Sequence, residues 1–376
     1  MPNPNAIVSI TVRLEPPLDR APEEMLRAQG GISVQLDGDR RVRLDPADPH
    51  SAGFARVLDG LSKQRLPVYL EIDPATQAIT RLFIPLVARV ASISSSQGAL
   101  DVELDPSHAR HVLKLGEPDS AVLERELREA LRGGRPVIVS EDDAHNILDV
   151  RAFTLAPDGP TPPLPPFPRP KPRLPYPWPL SWLWWIWCWI LCLWWWFGCL
   201  SMTRAQQVFD AMAATSCDLL TVPAPCIPFR YPDDGCWARA HEMCRLTINM
   251  GLSPRKVWID HSSGHWLHVN TKNSPQCYVE WGWHVAPTLC VRAGFFQTQL
   301  MVIDPALFTT PVTEATWKGV QGDPGATLTH TGADQYAHGG GTDPTYTGTN
   351  YYLAKYRLAL QTRAVQVGPP PYAYCP

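Results

Sequence analysis

The chain has 376 residues, of which 45% are hydrophobic, so it can bury one or two cores, and its length points to two domains. A formal net charge of −3 provides no global basic field and argues against nucleic acid as an electrostatic partner. The 40 prolines are unevenly spread, and all 10 cysteines lie after residue 187, so a cysteine-free first half meets a cysteine-rich second half.

In chain order, the opening MPNPNAIVSITVRLEPP has no basic region followed by a long apolar core, and no cleavable signal peptide is expected there. Residues 1–156 read as a separate α+β domain. Alternating apolar segments predict strands at Ile7–Val12, Ile32–Leu36, Val68–Ile72, Ile79–Ile84, Val87–Ile93, Leu100–Leu104, Pro136–Val139 and Leu148–Thr154. Helices are expected over Ala52–Lys63 and Ala121–Leu131, the second with a solvated face of Glu124, Arg125, Glu126 and Arg128. His108, His111 and His145 follow no metal-ligand spacing and are assigned surface or structural roles.

Residues 157–179, PDGPTPPLPPFPRPKPRLPYPWP, read as an extended polyproline linker. Residues 180–200, LSWLWWIWCWILCLWWWFGCL, carry no charge over a length that can span a bilayer as a helix. Arg169, Lys171 and Arg173 precede this segment and Arg204 follows it. By the positive-inside rule the first half would be cytoplasmic and the second exported. Tryptophan fills the centre as well as the ends, which keeps an interfacial hairpin or a plug packed on the protein in view. The expectation is a membrane-anchored protein with its second domain exported, or a secreted one.

Residues 201–366 read as the second domain, followed by an extended tail at 367–376. Helices are expected at Thr203–Thr215 and after Cys236. Strands are expected near Arg255–Ile259, His265–Val269, Tyr278–Val291, Leu300–Ile303 and Tyr352–Leu360. The order is a nucleophile-type helix ahead of an antiparallel sheet.

The turn-forming run Pro232-Asp233-Asp234-Gly235 delivers the chain to Cys236, and a helix-forming run, Trp237 to Leu246, follows. That places the sulfur at a helix N-terminus, where partial positive charge favours thiolate. The competing reading is a buried or bridged cysteine. With seven cysteines in this domain, one is left over once the others pair. His284 lies in WGWHVA, and burial between Trp281, Trp283 and Val285 would fix its ring; a core histidine is the alternative. Asp304 ends an apolar strand before Pro305, where its carboxylate could accept from the second nitrogen of His284; a turn cap is the alternative. Cys, then His, then Asp is the order of a thiol-nucleophile triad.

From about Cys217 through Trp317 the chain resembles the bacterial protein-glutaminase family, secreted enzymes that deamidate glutamine side chains in proteins. The matching pieces are PCIPFRYPDDGCWARAHEM, WGWHVA and VIDPALFTTPVTEATW. The resemblance implies a papain- or transglutaminase-like fold with Cys236 as nucleophile, His284 as acid and base, and Asp304 as its orienter. It implies protein substrates with an accessible glutamine, no cofactor and no metal. The backbone N–H of Cys236 is a candidate oxyanion donor. Family members carry an inhibitory pro-region, and FARVLDGLSKQRLPVYLEIDPATQAIT resembles part of one, which makes residues 1–156 a candidate intramolecular inhibitor. After about residue 320 the resemblance fades, and GDPGATLTHTGADQYAHGGGTDPTYTGTNYY is expected to be a loop bordering the site.

Other readings remain beside this one. Acyl transfer to an amine or peptide cleavage would use the same fold, and a non-catalytic membrane-tethered module would need none of the chemistry. Trp237, Trp281 and Trp283 are either an acyl slot or core. Asp260, His261, His265 and His268 fit no familiar ligand set. His338 and the three glycines after it lack a GxSxG partner. Cys217 and Cys226 could close a loop, and the pairing of Cys244, Cys277, Cys290 and Cys375 is not readable from spacing.

Overall fold

A computed structural model of the chain describes residues 5–153, 198–217, 226–295 and 297–376. The proline-rich linker and all but the end of the 180–200 segment lie outside the described residues. Among those described, no helix is long and apolar enough to cross a membrane.

The expected strand Ile7–Val12 divides into β1 (Ala6–Ser9) and β2 (Val12–Glu15), which join different sheets. The break has a local cause: Asp37 accepts from the backbone N–H of Ile10 at 2.5 Å and of Thr11 at 3.1 Å, drawing those groups out of any ladder. After α1 (Pro22–Gln29), β3 (Ile32–Leu36) and β4 (Arg41–Leu44) complete an antiparallel sheet of order β2-β3-β4. Helix α2 (Ser51–Gln64) lies ahead of β5 (Val68–Ile72) and β6 (Ile79–Phe83), which pair as β1-β5-β6. Phe54, Leu58 and Leu61 recur at helical spacing on one face of α2 and fill the core with Val34, Leu44 and Leu70.

A five-stranded antiparallel sheet follows, of order β11-β10-β7-β8-β9. Its strands are β7 (Leu86–Ser96), β8 (Ala99–Asp105), β9 (His111–Lys114), β10 (Pro136–Glu141) and β11 (Ile147–Ala152). Helix α3 (Ser120–Gly133) covers it with Leu123, Leu127 and Ala130.

The second unit is the expected helix on an antiparallel sheet. Helices α4 (Met202–Ala213) and α5 (Cys236–Asn249) precede β12 (Arg255–Asp260), β13 (Leu267–Asn270) and β14 (Tyr278–Trp281). The expected strand Tyr278–Val291 breaks at Gly282, and β15 (Trp283–Gly294) resumes beyond it. Then come β16 (Gln297–Val302), β17 (Val312–Thr313) and α6 (Glu314–Gly319). β18 (Thr327–Gly332) is followed by the hairpin of β19 (Gln335–Ala337) and β20 (Gly340–Thr342). The main sheet has the order β17-β16-β15-β12-β18. The stretch expected to be a site-bordering loop therefore supplies a full edge strand, β18, paired along β12.

The expected strand Tyr352–Leu360 is instead part of α7 (Thr347–Val367). Tyr352, Tyr356, Leu360 and Arg363 are buried at helical spacing, and alternation misreads them. The helix passes so close to α2 that a Cβ built on Gly60 would lie 2.5 Å from Leu358. Leu358 is thereby part of the N-terminal core, and α7 ties the two units together.

Disulfides join Cys199–Cys290, Cys217–Cys226 and Cys277–Cys375. The expectation of one leftover thiol is corrected: Cys199, from the apolar run, takes Cys290, so Cys244 stays reduced and buried along with Cys236. The tail is held by its bridge to Cys277 and by Tyr372 N–H donating to the Lys272 carbonyl at 2.7 Å.

Candidate active site

Cys236 is the first residue of α5, and the turn before it is held by buried groups. Gly235 has φ 83°, and a Cβ there would meet the Tyr356 ring at 2.4 Å, so only glycine fits. Asp234 accepts from the Gly235 N–H at 2.9 Å and from the Tyr356 hydroxyl at 2.5 Å. Arg239 donates to the Tyr231 and Asp234 carbonyls at 2.9 and 2.5 Å, and Arg363 pairs with Asp233 at 2.8 Å.

His284 projects from β15 between two indoles, Trp281 at 4.4 Å and Trp317 at 5.4 Å, both stacked on it. Its Nε2 lies 2.9 Å from Asp304 Oδ2, and Trp317 Nε1 donates to the same oxygen at 3.0 Å. Asp304 also accepts from the Ala306 N–H at 3.3 Å. With Nε2 committed, Nδ1 is left; it is buried and has no hydrogen-bond partner. A nitrogen of His284 and the Cys236 sulfur are within 4.8 Å of each other. The three residues singled out in the sequence thus converge, with Asp304 orienting the ring that faces the thiol.

The protonation pattern differs from the expectation for a helix N-terminus. Burial pushes the Cys236 thiol well above its usual range, outweighing Arg239 and the Val285 N–H, which favour thiolate. Burial also lowers His284 despite Asp304, while His284 and Trp317 hold Asp304 below the usual carboxylate range against its own burial. Both shifts favour the neutral forms of the thiol and the imidazole.

The N-terminal unit adds to that burial. His108, in the loop from β8 to β9, inserts among Trp237, Trp281, Trp283 and His284, and its side chain is 0% exposed. Its Nδ1 lies 3.0 Å from the Trp283 carbonyl, and its Nε2 accepts from the Cys236 N–H at 3.4 Å. Its backbone is locked as well. Gly282 N–H donates to the His108 carbonyl at 2.9 Å, Arg110 N–H donates to Glu280 at 3.0 Å, and Ala109 bridges antiparallel to Trp281. Residues 108–110 thus run like an added strand along 280–282. The surface or structural role expected for His108 is corrected: it lies inside the site and takes the N–H expected to serve as oxyanion donor.

His111 and His145 are also drawn inward, onto Glu141. His111 Nδ1 is 2.5 Å from Glu141 and its Nε2 is 2.8 Å from the Ser107 hydroxyl, while His145 stands at an ion-pair distance of 3.0 Å. Of the surface or structural roles expected for these two, the contacts correspond to the structural one. Asp260, His261, His265 and His268 share no centre: His261 stacks on Trp266, His268 on Tyr278, and Asp260 pairs with His338 at 2.5 Å. Trp237 Nε1 donates to Tyr336 and Trp281 Nε1 to the Asp233 carbonyl, so both indoles are core as well as site wall. A cavity of about 610 Å³ opens beside His108 between the units, walled by Glu103, Asp105, Asp260, Trp283 and His338.

Residues 205–321 match the family model described as Glutaminase, a span that contains Cys236, His284 and Asp304. The structure is similar to a crystal structure of a pro- protein-glutaminase, with TM-score 0.50 and 21% identity, covering 78% of this chain and 98% of that one. A crystal structure of protein-glutaminase and the NMR structure of protein-glutaminase from Chryseobacterium proteolyticum are each 26% identical over 47% of this chain. They cover 96% and 94% of those chains, with TM-scores of 0.35 and 0.36. No curated protein matches the chain. The Glutaminase family model thus covers the unit that carries the converging Cys, His and Asp, and the fold of the pro- protein-glutaminase is similar to that of this chain across both units.

Proposed function

We propose that the second unit hydrolyses the side-chain amide of glutamine in protein substrates, releasing ammonia and leaving glutamate. The observation that carries this reading is the His284–Asp304 contact at 2.9 Å, with the free face of the same imidazole turned to the sulfur that begins α5. In the open enzyme His284 takes the Cys236 proton, and the thiolate attacks the amide carbon. The oxyanion receives the Cys236 N–H. The imidazolium then protonates the departing ammonia, giving a thioester. His284 next draws a proton from water, which hydrolyses the thioester and frees the thiol. Asp304 keeps Nδ1 directed at the sulfur and stabilises the imidazolium.

In the same proposal the N-terminal unit is an intramolecular inhibitor. Residues 108–110 occupy the strand position along 280–282 where a substrate backbone would lie, and His108 fills the space above the sulfur. Because 108–110 pack along 280–282, the apolar segment 180–200 would tether the chain to a membrane with both units on the same side of it.

The test is a glutamine-containing protein incubated with the chain after its N-terminal unit has been cut away by limited proteolysis. Ammonia release, with the mass gain of amide-to-acid conversion and no new chain termini, is expected without any added amine. Ammonia only with an added amine, or new termini, would move the assignment to acyl transfer or peptide cleavage. Cys236→Ala activity equal to that of the unsubstituted chain would refute the mechanism.

A further inference from the structure

We propose that the closed form binds a thiophilic divalent cation, Zn²⁺ by preference, between His108, Cys236 and His284, latching the N-terminal unit onto the reacting pair. One ligand atom from each of these buried residues lies within 4.8 Å of the other two. Hydrogen bonding decides which atoms are free. His108 Nδ1 faces a carbonyl, Trp283 O at 3.0 Å, and can only donate there, which leaves Nε2 as the acceptor. His284 Nε2 faces the Asp304 carboxylate at 2.9 Å, which leaves Nδ1 as the acceptor, buried and without any partner. Two imidazoles, each with one nitrogen left as acceptor, and a sulfur therefore gather around one volume, with His108 Nε2 at present accepting from the Cys236 N–H at 3.4 Å and standing 3.6 Å from Asp234. A carbonyl and a carboxylate on the far ring nitrogens are the partners that orient metal-ligating histidines.

The donor set selects the ion. Two imidazoles and a thiolate suit Zn²⁺ and fit poorly with Mg²⁺ or Ca²⁺, which take oxygen. Atoms bound to one Zn²⁺ at about 2.0–2.3 Å stand roughly 3.3–3.8 Å apart, so an inward movement of up to about 0.7 Å by each of the three groups closes the site. The contact that must yield is the 3.4 Å hydrogen bond from the Cys236 N–H to His108, which is already long. Binding replaces the S–H bond with an S–metal bond, and the thiol proton passes to solvent; no electron is transferred. The His111–Glu141–His145 group offers no comparable site, because His111 spends both nitrogens on Glu141 and Ser107.

The inference rests on the reading of Cys236 and His284 as the reacting pair: one ion then silences nucleophile and base, and a chelator primes release. The test uses the full chain, stripped with chelator, reloaded with Zn²⁺, freed of excess and assayed for metal by mass spectrometry. Reloading with Co²⁺ adds a thiolate-to-cobalt absorption band as a signature of sulfur ligation. One ion per chain and the cobalt band are expected for the wild type and for Cys244→Ala. Both are expected to be lost in Cys236→Ala, and to weaken at least about 100-fold in His108→Ala and in His108→Phe, which keeps a ring packed among the tryptophans. No stoichiometric ion in the wild type, or an ion kept with equal affinity by both His108 variants, would overturn the proposal. The deamidase reading fails separately: an ion bound as expected, with no ammonia from the cut enzyme, leaves the metal site standing, and the converse leaves the deamidase.

Discussion

Replacing Arg363 with methionine should destabilise the whole chain, and the size of the loss can be worked out from its contacts. Arg363 is 1% exposed. It donates to Asp233 at 2.8 and 3.1 Å and to Asp143 at 2.8 Å, and its guanidinium lies 4.4 Å over the Tyr231 ring. Asp233 is itself 2% exposed, whereas the Asp143 side chain is 25% exposed. Arg363→Met keeps the apolar stem but leaves the Asp233 carboxylate buried without its cation, a loss of about 3–5 kcal/mol. At about 2.1 cal/mol/K per residue, a 376-residue chain shifts by roughly 1.3 °C per kcal/mol, so the melting temperature should fall by about 4–6 °C. Asp143→Asn removes the more exposed partner and should cost about 1 kcal/mol or less. Arg363→Met combined with Asp233→Asn removes both charges and should recover most of the loss. Thermal unfolding followed by circular dichroism reads all three. Arg363→Met melting within about 2 °C of the wild type, or the double variant melting no higher than Arg363→Met, would refute the reasoning.

Further outcomes follow from the same contacts. Gly235→Ala adds a Cβ at a left-handed φ against Tyr356 and should cost more than about 1 kcal/mol, with activity of the cut enzyme falling because the sulfur shifts. Asp304→Asn should lower kcat of the cut enzyme by about 10²–10⁴-fold, with a smaller change in KM, in an ammonia-release assay. Burial alone would lower the pKa of His145, yet Glu141 raises it to about 9. Because the folded value exceeds the unfolded one of about 6.5, its contribution, about 3 kcal/mol, is complete below that pH and is lost as pH rises toward 9. Melting temperature against pH should decline across that window in the wild type and stay flatter in His145→Gln. Replacing Cys277 and Cys375 by serine together should cost about 2–4 kcal/mol in chemical denaturation, since the bridge closes a loop across the last β-strands and α7.

The features legible in the sequence were those that local chemistry dictates. Pro232 to Gly235 followed by a helix-forming run places Cys236 at the start of α5, because turn preference and helix propensity act within a few residues. Asp304 before Pro305 sits at a strand end for the same reason. Tyr352–Leu360 shows where local reading fails. Its apolar residues satisfy two periods at once, and the close approach of α2 at Gly60, almost three hundred residues earlier, selects the helix. His108 fails for a stronger reason. Nothing in Ser107-His108-Ala109-Arg110 distinguishes it from an exposed loop; its role arises only when 108–110 pairs with 280–282.

The misread thiol and the misread His108 have one cause. A helix N-terminus favours thiolate, and this effect is local; burial favours the neutral thiol, and here a different part of the chain adds to it. In the metal-free chain, burial outweighs the charges that favour thiolate. On the proposed inhibitory role, removing that unit would take His108 from beside the sulfur and free the Cys236 N–H in a single step. Activation then requires no rearrangement of the Cys236, His284 and Asp304 geometry, only the departure of the strand that covers it.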